Sequence, residues 1–510
     1  MTLSWFDIGL FLAFFGVVVS FSLFQGRKEE TSEDYFLAGR GLKWWLIGFS
    51  IVAANISTEQ FVGMAGSSAG NVGLAVAGYQ LLGAVTIVLV SIFFLPRFLR
   101  AGIYTMPEYL EYRYNPTARA IMAFYTMVIY VGVTITAVLY SGGLTLHTIF
   151  KMDLSQAVWL IGLIAALYTT WGGLKAVVWA DLFQGAALLL GGLLVMGLGL
   201  QAVGGWTAFV EANRDRLHMI LPADHPELPW TALALGLWIP NFYYCGLNQF
   251  IVQRTLAAKS LREGQMGIIL AAALWLIVPF AIVMPGMVAL QLFGSELTSP
   301  DQAFPTLIVR LVPDGLRGFI FAAIAGAVIS SLASMLNSAS TIFTIDLYKR
   351  HWVKDASSHA LIVQGRIMTV VFVVMGCLIA PRLADPRFGG VFRYIQEFQG
   401  YISPGILAAF VFGFIVKQTP PAAGVAALLV TVPAYGLLHW QFPQVAFLNR
   451  MAIAFGIVLL TMTLITMLKP LEKPKEMPVT SDIDLRPAPS VVWLGMLVIA
   501  AVGAFFVIFR

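Results

Sequence analysis

The sequence predicts an all-α polytopic membrane protein with about fourteen transmembrane helices, and three observations predict it. Of its 510 residues, 59% are hydrophobic and only 11% charged, against about a quarter charged in an ordinary globular chain. The mean hydropathy is +0.83, which leaves too little polar surface to cover a water-soluble body. The apolar residues also fall into stretches of roughly 20, the length that crosses the hydrocarbon of a bilayer.

In order, the stretches are 4–26, 44–67, 74–99, 118–149, 155–173, 180–204, 230–250, 267–291, 316–346, 361–381, 391–416, 421–441, 446–468 and 488–509. The first has Asp7 and no Lys or Arg at its start, then Arg27 and Lys28 after it. That is the reverse of a cleavable signal peptide, so the span is expected to stay, with its N-terminus outside. Alternating the spans from there puts 21 of the 31 Lys and Arg on the inner side and 10 on the outer. This positive-inside excess predicts that both termini face outward. The longest polar loops, 205–229 outside and 469–487 inside, are too short for a kinase, nucleotide-binding or receptor domain. Function is therefore expected inside a single membrane domain spanning 1–510.

Polar residues at mid-membrane are costly and mark solute or ion paths, and four clusters stand near span centres. The second span carries Ala53-Ala54-Asn55-Ile56-Ser57-Thr58-Glu59-Gln60, whose side chains compete for backbone hydrogen bonds and favour unwinding. The seventh carries Pro240-Asn241-Phe242-Tyr243-Tyr244-Cys245-Gly246, then Asn248 and Gln249, and its proline removes a backbone donor. The ninth places Ser330, Ser334, Asn337 and Thr341 on one face, beside Ser331 and Ser338. The eleventh holds Gln396, Glu397 and Gln399 before Ser403-Pro404-Gly405. Any one of these residues is equally well packing glue or a kink. Together they weigh differently, because the two broken spans open two successive groups of five, 44–204 and 230–416. Paired interruptions of this kind point to a midplane transport site.

Other function classes fit less well. The six histidines lie at span ends or in loops, so neither a zinc cluster nor a histidine proton relay is supported. No HExxH, GxSxG or GxxxxGK[ST] pattern occurs, so the chain reads as neither an enzyme nor an ATP-driven pump. Cys245 and Cys377 sit in apolar runs with nothing to pair them. The net charge of +5 reflects loop cations at the membrane surface rather than nucleic-acid binding. A channel stays conceivable, but two broken helices facing one pocket suggest binding and alternating access.

The runs Ser32 to Gly39, Ala53 to Phe61, Trp171-Gly172-Gly173-Leu174, Gln253 to Ser260 and Ser330 to Asp346 resemble the solute:sodium symporter family, in particular its bacterial sodium/galactose branch. The resemblance extends from about residue 5 to the last span. It implies a leucine-transporter-like 5+5 inverted repeat, with an extra N-terminal helix at 4–26, repeats at 44–204 and 230–416, and C-terminal helices over 421–510. It further implies sodium as the co-transported ion, held by the carbonyls of Ala53, Ile56 and Ala327 and the hydroxyls of Ser330 and Ser331. Asp181 matches an acidic residue on the ion's inward exit, although an interfacial carboxylate is an alternative. The second sodium site of some relatives is similar around Asp181 and Ser334, but one of its hydroxyl positions is Ala333.

For the solute, the resemblance implies hydrogen bonds from Gln60, Asn241 and Gln396, an inner closure by Tyr244, and walls from Met64, Tyr79 and Tyr130. The sequence departs from the family where a pocket glutamate becomes Gln80, a serine Gly83, a lysine Trp275 and a tryptophan Cys245. The expected activity is sodium-coupled import of a neutral polyhydroxyl solute, foremost a monosaccharide, through a cytoplasmic (inner) membrane with no obligatory protein partner. Myo-inositol, an amino sugar, an amino acid, or a solute-sensing role are the alternatives.

Overall fold

A computed structural model of the chain describes residues 5–25, 31–56, 58–388, 390–480, 485 and 487–510. Ser57, Arg27, Lys28 and most of 481–486 lie outside the described residues. Long apolar stretches satisfy their own backbone only as helices in lipid, and among the described residues the structure is helices joined by turns and irregular loops, with two isolated β-bridges as its β structure. Ten helices among these residues are each long and apolar enough to cross a membrane. A bent pair, Val391–Gln399 and Ser403–Ile415, turned by 46° at the Gly400 to Ile402 break, makes an eleventh.

The remaining expected spans are present in pieces. The second divides into Trp44–Asn55 and, beyond Ile56, a wide-wound turn Gln60–Met64 continued by Ala65–Ala69. The seventh divides into Trp238–Gly246 and Gln249–Leu256. The fifth and sixth differ from expectation: helical backbone continues over Leu154–Val203, 50 residues. At about 1.5 Å per residue this exceeds twice the hydrocarbon thickness. Its two apolar portions run in opposite senses along the ninth span, Arg317–Ile342. A Cβ on Gly142 would meet both Ile161 and Val328, while Asp181 touches Ser330, Gly326 faces Gln184 and Gly191 faces Ile320. The two portions thus pack separately against the ninth span, and the loop expected at 174–179 is helical.

Burial ranks the spans. The ninth is 89% buried over its apolar window, whereas the first is 18% buried and the last three 33%, 28% and 22%. The serine-rich helix is therefore the axis of the bundle, and the first and last helices form its lipid-facing rim. Close approach rests on glycine. A Cβ on Gly286 would stand 2.1 Å from the Ala65 carbonyl oxygen, so Met284–Phe293 runs backbone against backbone with the second span's far half. Gly318 similarly admits Asp7, whose carboxylate accepts the N–H groups of Gly315 (3.0 Å) and Gly318 (2.9 Å) and docks the first helix.

Candidate functional site

The two interruptions place the site. At Ile56 the chain leaves the helix with extended backbone (φ −91°, ψ 92°), and the next ordered turn is wound wide. Such turns concentrate at functional sites. The seventh span breaks at Leu247 and Asn248, several residues past Pro240, where a wide-wound stretch Ala232–Gly236 leads directly into Trp238–Gly246. The break is held by Tyr130, whose hydroxyl donates to Asn248 Oδ1 and accepts the Phe250 N–H at 3.0 Å.

Around these breaks lies a cavity of about 50 Å³, room for a few waters at roughly 10–15 Å³ each. Seven of the nine expected solute residues line it: Gln60, Tyr79, Gln80, Asn241, Tyr244, Trp275 and Gln396. Met64 is buried one turn beyond Gln60, outside the lining, and Tyr130 is engaged at the seventh break instead. Two of the expected amides are partly committed. Gln80 Nε2 donates to Asn55 Oδ1 at 2.5 Å, and Asn241 Nδ2 to the Tyr79 carbonyl at 3.2 Å. Trp275 packs over Gly83, with 3.5 Å from its ring to where a Cβ on Gly83 would stand, so the two departures from the family pattern meet in one corner.

Sequence reasoning misses part of the lining. Asn55, Glu59 and Gln399 are visible in the polar runs but carry no assigned role, whereas Thr134, Met335 and Phe392 give no signal. Four buried polar atoms on lining residues have no hydrogen-bond partner: the acceptors Glu59 Oε2 and Gln60 Oε1, and the donors Trp275 Nε1 and Gln399 Nε2. Phe392 also borders a second, larger space of about 640 Å³ on the side expected to be outside, and its ring meets Tyr79 edge-on at 4.9 Å. These rings separate the two spaces. At that outer rim burial pushes the Asp301 carboxyl up to about 6, while the Val391 N–H donated to it at 3.3 Å pulls the other way.

Toward the opposite side of the second break lie the positions expected to hold the ion. The Ser331 hydroxyl donates to the Ala53 carbonyl at 3.2 Å, Ser330 donates to Asp181, and Ala327 lies one turn earlier on the same helix. Asp181 is fully buried rather than interfacial, and its partner is Arg254, also fully buried, at 3.0 Å. Arg254 also donates to Ser334 and to the hydroxyl (2.5 Å) and carbonyl (3.2 Å) of Ser50. The loop-charge count treats Arg254 as a surface cation. With Arg113 and Arg119, it is in fact buried.

The model of the sodium:solute symporter family matches residues 35–430. The sodium/glucose cotransporter of Vibrio parahaemolyticus is 39% identical over 98% of this chain and 98% of its own length. Sodium/myo-inositol cotransporter 2 of Mus musculus is 34% identical over 83% of this chain and 68% of its own. Among solved structures, a Na+-coupled sialic acid symporter in a substrate-bound outward-open state superposes with a TM-score of 0.81 at 22% identity, covering 91% of this chain and 98% of that one. The transporter Mhp1 in a closed conformation gives 0.58 at 16% identity, covering 89% and 98%. These two likenesses establish the leucine-transporter-like fold.

Proposed function

The chain belongs to the sodium:solute symporter family, and from that premise we propose that it imports a neutral polyhydroxyl solute, foremost a monosaccharide, together with sodium. The observation that carries the reading is the set of four unpartnered polar atoms on the cavity lining, two acceptors and two donors. A hydroxyl both donates and accepts, so a sugar's rim matches such a set. The rings of Tyr79, Tyr244 and Trp275 suit its apolar face. Relatives named for glucose and myo-inositol transport agree with a polyol.

In this reading sodium takes the carbonyls of Ala53, Ile56 and Ala327 and the hydroxyls of Ser330 and Ser331. Ion binding replaces the Ser331 bond to Ala53 and fixes the second break, with its Asn55, Glu59 and Gln60, in the form that binds solute. Coupling follows, because the ion favours the binding-competent state. The present cavity is too small for a sugar ring of about a dozen heavy atoms, so Phe392 and Tyr79 draw apart to admit it and Tyr244 to release it. The repeats at 44–204 and 230–416 rock against each other around the site, both termini lie outside, and the membrane is the cytoplasmic one. Because Ala333 lacks a hydroxyl, one sodium moves per solute. A potential of 100 mV then supplies about 2.3 kcal/mol, roughly fifty-fold accumulation.

Uptake of a labelled panel of neutral sugars and myo-inositol into proteoliposomes tests the reading. Accumulation of at least one of them, only under an inward sodium gradient, is expected. Sodium-driven uptake confined to amino acids or other charged solutes, or binding without net transport, would refute it.

A further inference from the structure

Among the described residues, Glu59 is the one carboxylic acid on the cavity lining, and no Lys, Arg or His lines it. Its residue is 4% exposed and its Oε2 has no hydrogen-bond partner. It follows Thr58, whose hydroxyl lies 2.8 Å from that of Ser141, and precedes Gln60, where the wide-wound turn starts. Its backbone is thereby anchored on both sides of an otherwise interrupted helix. Buried polar groups are hydrogen-bonded in native proteins, and here the protein supplies no partner to Oε2. The group that completes Glu59 must come from whatever fills the cavity.

The lining beside Gly83 differs. There Trp275 lies over Gly83 and presents one indole donor with a large apolar face, and Gln80 spends its amide nitrogen on Asn55. Discrimination against an analogue lacking a hydroxyl comes from leaving a buried polar group of the site unpaired. The cavity is therefore uneven, with an unpartnered carboxyl at one place and a single neutral indole donor at another.

We propose that Glu59 is the specificity-determining contact of the solute site, accepting hydrogen bonds from one hydroxyl, or a neighbouring pair, of a neutral sugar. The sugar position facing Trp275 and Gly83 meets only the single neutral donor of the indole and is read more weakly. The inference rests on the functional reading above and assigns that site's polarity.

The test uses the full-length protein in proteoliposomes, with a transported sugar and its singly deoxygenated analogues competing at saturating sodium. Wild type should lose at least tenfold in affinity at one deoxy position, or at two adjacent ones, and less than threefold at another position. In Glu59→Gln the parent sugar should bind at least tenfold more weakly and the sensitive analogue should no longer be distinguished, while half-saturating sodium measured without sugar stays within twofold. Equal losses at every deoxy position, or at none, overturn the proposal from wild type alone, even where the variant fails to fold. A variant that keeps the wild-type profile overturns it as well. An amino sugar that outcompetes the parent in wild type but not in Glu59→Gln would assign the carboxylate to an ammonium group and overturn the neutral-hydroxyl form. Absence of sodium-driven sugar uptake by wild type would instead sink the functional reading itself.

Discussion

The second and seventh spans are both interrupted near their middles, yet the two breaks are secured differently. In the seventh, Tyr130 reaches across from the fourth span and ties Asn248 and the Phe250 N–H into place. In the second, the side-chain bonds near the break, among the described residues, are those of Gln80 with Asn55, of Thr58 with Ser141 and of Ser331 with the Ala53 carbonyl. The first two are internal to the protein. The third involves two of the groups assigned to sodium. One break is thus fastened by the protein alone, and the other in part by groups that an ion would claim. The comparison teaches where coupling resides: a helix whose break needs an ion to complete it responds to that ion, and a stapled one serves as the fixed wall.

The strongest challenge to this contrast is Arg254, which joins the two regions through Ser50 on the second span and Asp181 on the sixth. Removing one partner of a buried pair costs about 3–5 kcal/mol. Arg254→Gln should therefore lower the melting temperature in detergent more than Tyr130→Phe or Gly83→Ala, with sodium present or absent. A melting temperature unchanged by the substitution would mean that the seventh span does not hold the second.

Next in size is Tyr130→Phe. Losing the hydroxyl leaves Asn248 and the Phe250 N–H unpaired, at about 1–3 kcal/mol for a buried group. The loss of thermal stability should be the same with and without sodium, as expected of a staple. A loss seen only in the presence of sodium would make the seventh break an ion-dependent element and erase the distinction.

Stoichiometry sharpens the same point. With Ala333 in place of a hydroxyl, the charge moved per solute in voltage-clamped proteoliposomes should be near one, and a value near two would require a second ion away from the break. The smallest effect is expected at Gly83→Ala. Its added methyl would meet Trp275 at an ordinary 3.5 Å, so sugar affinity should change less than threefold, read by competition. A loss of tenfold or more would show that this corner reads the solute after all.

Much of this is legible in the sequence, because the bilayer makes two features conspicuous: length of apolar run and polarity at mid-span. The polar run Ala53 to Gln60 marks the second break, and the serine face marks the ninth span that proves most buried. The seventh break lies elsewhere than its proline suggests, since the backbone ahead of Pro240 stays helical by winding wide over Ala232–Gly236 and the chain yields at Gly246 to Asn248 instead. Periodicity gives no warning that helical backbone continues through 174–179. The pairing of Asp181 with Arg254 joins residues 73 positions apart, and a cation just after an apolar stretch looks like a loop residue until packing shows otherwise. Phe392 and Met335 are apolar residues set among the polar ones that draw the eye, so only three dimensions reveal that they face the cavity.

The central claim is that sodium and solute meet through the second break, and affinity linkage measures it most directly. Equilibrium binding of a transported sugar should be determined with and without sodium, in wild type and in Ser331→Ala, at one sodium concentration below saturation. In wild type sodium should tighten sugar binding at least tenfold, about 1.4 kcal/mol of coupling, and by reciprocity the sugar should tighten sodium binding by the same factor. In Ser331→Ala the sodium-free affinity should be unchanged and the enhancement largely lost. Sugar affinity indifferent to sodium in wild type, or an enhancement that survives intact in Ser331→Ala, would contradict the account.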